Sequence, residues 1–131
     1  MSLFRYNSRH KIITFVVVII AAAVGYYLNQ RALPTFENGQ PKRAGSLVDG
    51  RNQGHWSWYY PNGRMKMEGD FDGGKRTGRW ITYSPNGDTL TVSFYRDDKL
   101  NGPHTEFGTD GRPAVVTTYA NDLPVSTAGG H

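Results

Sequence analysis

The chain has 131 residues, of which 15 are Lys or Arg and 11 are Asp or Glu, with no cysteine and a formal charge of +4. That length holds one small domain, and the missing cysteines exclude both a disulfide framework and lipid attachment through a thiol. The charge does not indicate nucleic-acid binding. Arg5, Arg9 and Lys11 carry three of the positive charges ahead of an apolar run and every acidic residue follows it, so the remainder is nearly neutral, with no basic stripe to track a phosphate backbone.

Residues 1–11 form a basic flank, and the run from Ile12 to Leu28 contains no charge. As a helix this run covers about 25 Å at roughly 1.5 Å per residue, close to the roughly 30 Å of a bilayer core. Phe4 and Tyr6 precede it and Tyr26 and Tyr27 sit at its far end, where aromatic rings favour the two interfaces. Basic residues are retained on the cytoplasmic side, so residues 12–28 are expected to cross the bilayer once with the N-terminus inside and the C-terminal domain outside. A cleaved signal peptide is the competing reading, with Ala21, Ala22 and Ala23 as its small-residue site. The apolar run continues beyond that site to Leu28, which favours an uncleaved anchor.

After a linker at residues 29–35, the chain repeats itself at a fixed period, equal to the step from Gly54 to Gly78 and from Gly78 to Gly102. Gly54-His55-Trp56, Gly78-Arg79-Trp80 and Gly102-Pro103-His104 are each followed by a turn, at Pro61-Asn62-Gly63, Pro85-Asn86-Gly87 and Thr109-Asp110-Gly111. A further ring falls in register at Phe71, Tyr95 and Tyr119. Fixed-period repeats stack on their neighbours, because one unit cannot bury a face alone. Strand-forming residues follow each glycine, and the Asn-Gly or Asp-Gly turn reverses the chain, since asparagine tolerates and glycine readily supplies positive φ. One unit is therefore one β-hairpin. Asp72-Gly73-Gly74, Asp97-Asp98 and Asn121-Asp122 connect or close the units, and a degenerate unit precedes them at Asn38-Gly39, Gly45, Leu47 and Gly50.

The expected fold is mainly β: a single-layer twisted antiparallel meander of seven strands, built from β-hairpin repeats over residues 36–123 and preceded by one transmembrane helix, with a flexible tail at residues 124–131. The pleat raises a question. Recurring aromatic positions 56/80 and 59/83/107 differ in parity, so either a bulge separates them or rings occupy both sides of the sheet.

The frame of Gly-x-Trp, an aromatic, Asn-Gly, Glu-Gly and a further aromatic resembles the bacterial variant of the MORN repeat, as found in antitoxin-like proteins of the YwqK type. Gly54 to Phe71, with Glu68-Gly69 in place, is the most faithful copy. The second unit has Val92-Ser93 where the frame has Glu-Gly, and the third has His104 for the tryptophan and Val116-Thr117 for Glu-Gly. The resemblance implies an elongated β-meander serving as a scaffold or binding surface, no catalytic residue, and, with the anchor, a place in a bacterial inner membrane facing the periplasm or exterior.

No enzyme signature accompanies the repeats. His10, His55, His104 and His131 lack a second ligand at short metal-site spacing, and no nucleophile elbow, phosphate loop or zinc-protease motif occurs. Asp70, Asp72, Asp97 and Asp98 read as solvated turn residues rather than a calcium loop. Neither cofactor nor metal is expected. The partner-binding candidates are Trp56, Trp58, Tyr59 and Tyr60, a dense cluster of large rings, since contiguous apolar surface marks contact sites and Trp and Tyr dominate their energetics. Trp58 is expected to be the exposed contact because Thr82 and Glu106 replace it in later units, whereas Trp56, matched by Trp80, is expected to pack internally. Asn62, Gly63, Asn86, Gly87 and Gly111 are assigned to turns. The leading expectation is a non-enzymatic, membrane-tethered protein-binding or structural module within an envelope or membrane complex. Alternatives are an antitoxin or immunity-type binder and a glycan- or peptidoglycan-binding module.

Overall fold

The structure, a computed structural model, describes residues 8–31 and 33–129. Arg5, Phe4 and Tyr6 of the N-terminal flank, and Gly130 and His131 of the tail, lie outside the described residues. The chain divides into a helical segment and a sheet, which are taken separately.

Helix α1 spans Ser8–Arg31 and so exceeds the expected 12–28 at both ends, taking in part of the expected linker. From Lys11 to Leu28 it is long and apolar enough to cross a membrane. Ile12, Phe15, Ile19, Val24 and Leu28 are among its exposed apolar side chains, which surround the axis rather than forming one stripe. A helix that is apolar all round belongs in an apolar surrounding.

The remainder is a single antiparallel sheet. Its strands are β1 (Arg43–Val48), β2 (Arg51–Tyr59), β3 (Met65–Asp72), β4 (Lys75–Tyr83), β5 (Thr89–Arg96), β6 (Lys99–Leu100), β7 (Gly102–Phe107), β8 (Pro113–Ala120) and β9 (Leu123–Gly129). The order is β1-β2-β3-β4-β5-β7-β8-β9 with β6 also on β5, a meander without crossovers. Two features correct the expected seven strands. The third unit's first strand is broken at Asn101 into β6 and β7, and the segment expected to be a flexible tail forms β9 against β8. A strand at an open edge needs only one neighbour's backbone, and β8 supplies it.

The pleat question resolves toward rings on both sides. Within β2 the register runs without interruption from Gly54 to Trp58, and the irregularity falls on the partner strand: Trp58 pairs with Met67 but Tyr59 with Met65, leaving Lys66 as the extra residue. The same bulge recurs at Leu90 in β5 and Ala114 in β8, one repeat period apart each time. Trp56 and Trp58 therefore share one face, and Ser57 and Tyr59 the other.

Between units, a second irregularity recurs and carries the core. Glu68 pairs with Ile81 and Asp70 with Thr77, so Gly69 alone spans Gly78, Arg79 and Trp80. Gly78 takes φ +64 to allow it. The Trp80 ring then lies flat on Gly69, where a Cβ would come within 2.2 Å of the ring. Gly45 and Trp56 repeat this contact one unit earlier, also at 2.2 Å. In the third unit both members change: Ser93 stands for the glycine and His104 for the tryptophan, and Ser93 Oγ meets His104 Nδ1 at 2.7 Å. These two departures from the repeat meet in one contact. Among the described residues, Trp56 and Trp80 are the buried apolar side chains, at 0% and 5% exposure, with Ser57 and Ser93 the buried polar ones.

The turns link units as well as reversing the chain. Gly63, Gly87 and Gly111 have φ of 82°, 99° and 75°. Asn62 Oδ1 accepts from the Arg64 amide at 2.9 Å, closing its own turn, while Asn62 Nδ2 donates to the Pro85 carbonyl of the next turn at 3.2 Å. Asn38 does the same toward Pro61 at 2.8 Å. The Asn86 carbonyl accepts from the Arg64 guanidinium. At the opposite side of the sheet, Gly74, Asp98 and Asp122 amides donate to the carbonyls of Asn52, Arg76 and Leu100 at 2.9–3.0 Å.

Candidate functional site: the aromatic face

One face of the sheet carries a continuous row of rings. Trp56 meets Trp58 at 6.0 Å and Phe71 at 6.3 Å, and Trp58 meets Phe71 at 6.2 Å and Trp80 at 5.6 Å. Phe71 stands edge-on to Trp80 at 5.1 Å, and Trp80 meets Tyr95 at 5.9 Å. His104 and Tyr119 continue the pattern at 6.2 Å in the third unit. Edge-to-face packing satisfies the ring quadrupoles, so the row is a specific arrangement rather than a loose cluster.

Two arginines stack on the row. The Arg43 guanidinium lies 5.6 Å from the Trp56 ring, and that of Arg76 lies 4.1 Å from Tyr95. Arg76 Nε also donates to Asp98 Oδ1 at 2.6 Å. This bond holds the Asp98 carboxyl below its ordinary range and fixes the guanidinium over the ring. Arg43 Nε is buried with no hydrogen-bond partner among the described residues.

The row opens into a cavity of about 210 Å³ walled by Trp58, Phe71, Trp80 and Tyr95, with Met67, Thr82, Ser93 and Arg76 completing it. Its origin is a size difference between units. Thr82 occupies the position that Trp58 holds one unit earlier, and its hydroxyl is spent on Thr91 Oγ1 at 2.6 Å. The space a second tryptophan would fill is left open.

The sequence-derived candidates separate. Trp56 has no exposed surface, so it is withdrawn as a partner contact: its ring is spent on covering Gly45, with Nε1 donating to the Ser46 carbonyl at 3.1 Å. Trp58 is half-buried rather than spare; it bridges the rings of two units and walls the cavity. Tyr59 lies on the opposite face. Tyr60 Oη donates to the Tyr83 carbonyl at 2.8 Å, and Lys66 Nζ sits 5.7 Å from its ring centre. The four candidates therefore do not form one surface. Phe71, Trp80, Tyr95 and Arg76 were absent from that set, and the signal for them was the in-register 71/95 ring beside the small residue at 82.

The opposite face carries a polar cluster over β2, β3 and β4. His55 Nδ1 lies 3.0 Å from Asp70 Oδ1 and its Nε2 lies 3.2 Å from Glu68 Oε2. Tyr83 Oη donates to Glu68 Oε1 at 2.5 Å. Burial, and then this bond to a carboxylate, push the Tyr83 phenol up to about 12. Such a phenol keeps its proton throughout the neutral range. Among the described residues no group of three His, Cys, Asp or Glu side chains is arranged to hold a metal ion.

The hairpin of β2 and β3 can now be compared with known families. Residues 52–72 match the MORN repeat variant. The match covers one hairpin unit, from the start of β2 to the end of β3, and contains the Gly54, Trp56, Asn62-Gly63, Gly69 and Phe71 frame. No curated protein matches the chain. MORN repeats are generally protein- or membrane-binding modules, which is compatible with a non-enzymatic binding role.

Proposed function

We propose that the chain is a non-enzymatic, membrane-tethered protein-binding or structural module, an accessory subunit of a bacterial envelope or membrane complex. Helix α1 is its anchor, with the N-terminus cytoplasmic and the sheet periplasmic or extracellular. The partner seats a side chain in the cavity between Trp58, Trp80 and Tyr95. That cavity is the observation carrying the proposal: rigid rings and a stacked arginine around an unfilled apolar space are the composition and shape of an interface anchor site. The rings lose little conformational entropy on contact, because neighbouring rings already hold them.

The test fills the cavity with the residue its own repeat prescribes. Thr82→Trp places a second tryptophan where Trp58 has its counterpart, and full-length chains are purified from gently solubilised membranes. A stoichiometric protein partner retained by the wild type and lost from Thr82→Trp, at an unchanged unfolding midpoint, supports the proposal. Retention by cell-wall material alone replaces a protein partner with a glycan. Equal partner recovery from both chains moves the interface away from this face.

A further inference from the structure

The two edges of the sheet correspond to complementary halves of one hairpin unit. At one end, the degenerate unit keeps its turn: the Phe36 amide donates to the Gln40 carbonyl at 2.7 Å, as Tyr60 does to Arg64 at 2.8 Å. It also keeps the first rung, since the Thr35–Pro41 bridge stands one repeat period before the Tyr59–Met65 pair. Beyond that rung the Pro34 carbonyl still accepts from the Lys42 amide at 2.8 Å, and the described residues carry the first strand no further. By the register of β2 on β3, Arg31 and Gln30 would face Ser46 and Leu47, but both belong to α1. The outer edge of β1 from Ala44 to Val48 therefore carries no paired strand among the described residues.

At the other end the situation is reversed. β9 stands one period after β6 and the start of β7, and two periods after β4, so it is the first strand of a further unit. No second strand covers its outer edge among the described residues. Among the described residues, one edge has no first strand beyond its opening rung, and the other is a first strand with no second beside it.

Composition separates these edges from the rest of the sheet. Among the described residues outside α1, the exposed large apolar ones are Leu47, Val48, Leu90, Leu123 and Val125, and all but Leu90 lie on the two edge strands. β9 has no charged residue and β1 only Arg43. Edge strands that remain solvent-facing are ordinarily blunted by inserted charges or proline; β9 has one such device, Pro124 near its start, and none from Val125 to Gly129. Direction fits as well. Strand direction alternates along the meander, so β1 and β9 run oppositely, and a copy translated along the sheet sets β9 antiparallel to the next copy's β1.

We infer that β9 of one copy pairs with the outer edge of β1 in a second copy, continuing the meander head to tail. The contact is heterologous, so it leaves one β1 edge and one β9 edge free and can extend beyond two copies. It uses Ala44 to Val48, leaving the Thr35–Pro41 rung of each copy in place.

The chain contains no cysteine, which permits a direct test on the full-length protein in detergent. Ser46→Cys and Thr127→Cys are prepared separately with tags of different size, mixed, and treated with a short bis-maleimide. Both side chains are exposed, and unchanged circular dichroism checks the fold. The expected product is the mixed 46–127 dimer, formed in the mixture and reduced at least fivefold by adding Val125→Lys to the Thr127→Cys chain. A dominant 127–127 product would replace this arrangement with a two-fold β9–β9 contact, and no cross-linked product in any combination would overturn self-association. Thr82→Trp, which fills the cavity on the aromatic face, should leave the cross-linking unchanged.

Discussion

Replacing Gly69 with serine should unfold the centre of the sheet, and replacing Trp80 with histidine in the same chain should restore much of the loss. A Cβ at residue 69 would come within 2.2 Å of the Trp80 ring, against backbone-anchored atoms of the indole rather than a flexible chain end. The ring must leave. A tryptophan at 5% exposure that swings into water returns on the order of 150–250 Å² to solvent, which at about 25 cal/mol per Å² amounts to roughly 4–6 kcal/mol. Partial relaxation lowers this, so Gly69→Ser should cost about 3–5 kcal/mol, in the range of large aromatic truncations. Trp80→His alone should cost about 2–4 kcal/mol, because it opens a void over Gly69. The double variant reproduces the Ser93–His104 pair, bonded at 2.7 Å, and should cost at least ~2 kcal/mol less than the sum of the single changes. The assay is chemical unfolding of all four chains followed by circular dichroism, with midpoints converted through a common slope. Additive losses would refute the compensation, and a silent Gly69→Ser would show that the ring does not lie on that glycine.

Gly63→Val should be severely disruptive, since a β-branched residue at φ 82 is strained and the Asn62 bridge to Pro85 depends on the turn; protease resistance equal to wild type would contradict the turn register. Tyr83, raised to about 12, holds its proton more tightly folded than unfolded, so its stabilising contribution is complete below pH 10 and lost as pH rises from about 10 toward 12. Tyr83→Phe should therefore flatten the alkaline loss of stability over that window, measured by unfolding midpoints at stepped pH, and an unchanged profile would sink this attribution. The anchor reading expects a reporter fused after His131 to be active outside the cytoplasm; activity inside would reverse the orientation, and a mature chain beginning near Val24 would establish cleavage.

The repeat frame made most of the fold legible in the chain itself. The fixed spacing of Gly-x-Trp, Asn-Gly and a further ring dictates hairpins and a meander, because turn chemistry and strand propensity are local and need no distant partner. The apolar run was equally plain, since its length and lack of charge are properties of adjacent residues. What the sequence left open was which side chains meet between units. Val92-Ser93 and His104 read as separate lapses from the frame, and only the bulge that sets residue 93 under residue 104 makes them one contact. Trp58 read as spare because its position varies, yet the varying partner, Thr82, is what opens the cavity that Trp58 walls. β9 read as a disordered tail because its composition is weak, and the backbone edge of β8 decided otherwise. Local chemistry determined the hairpins; register between strands far apart in the chain decided which rings are buried and which face is open.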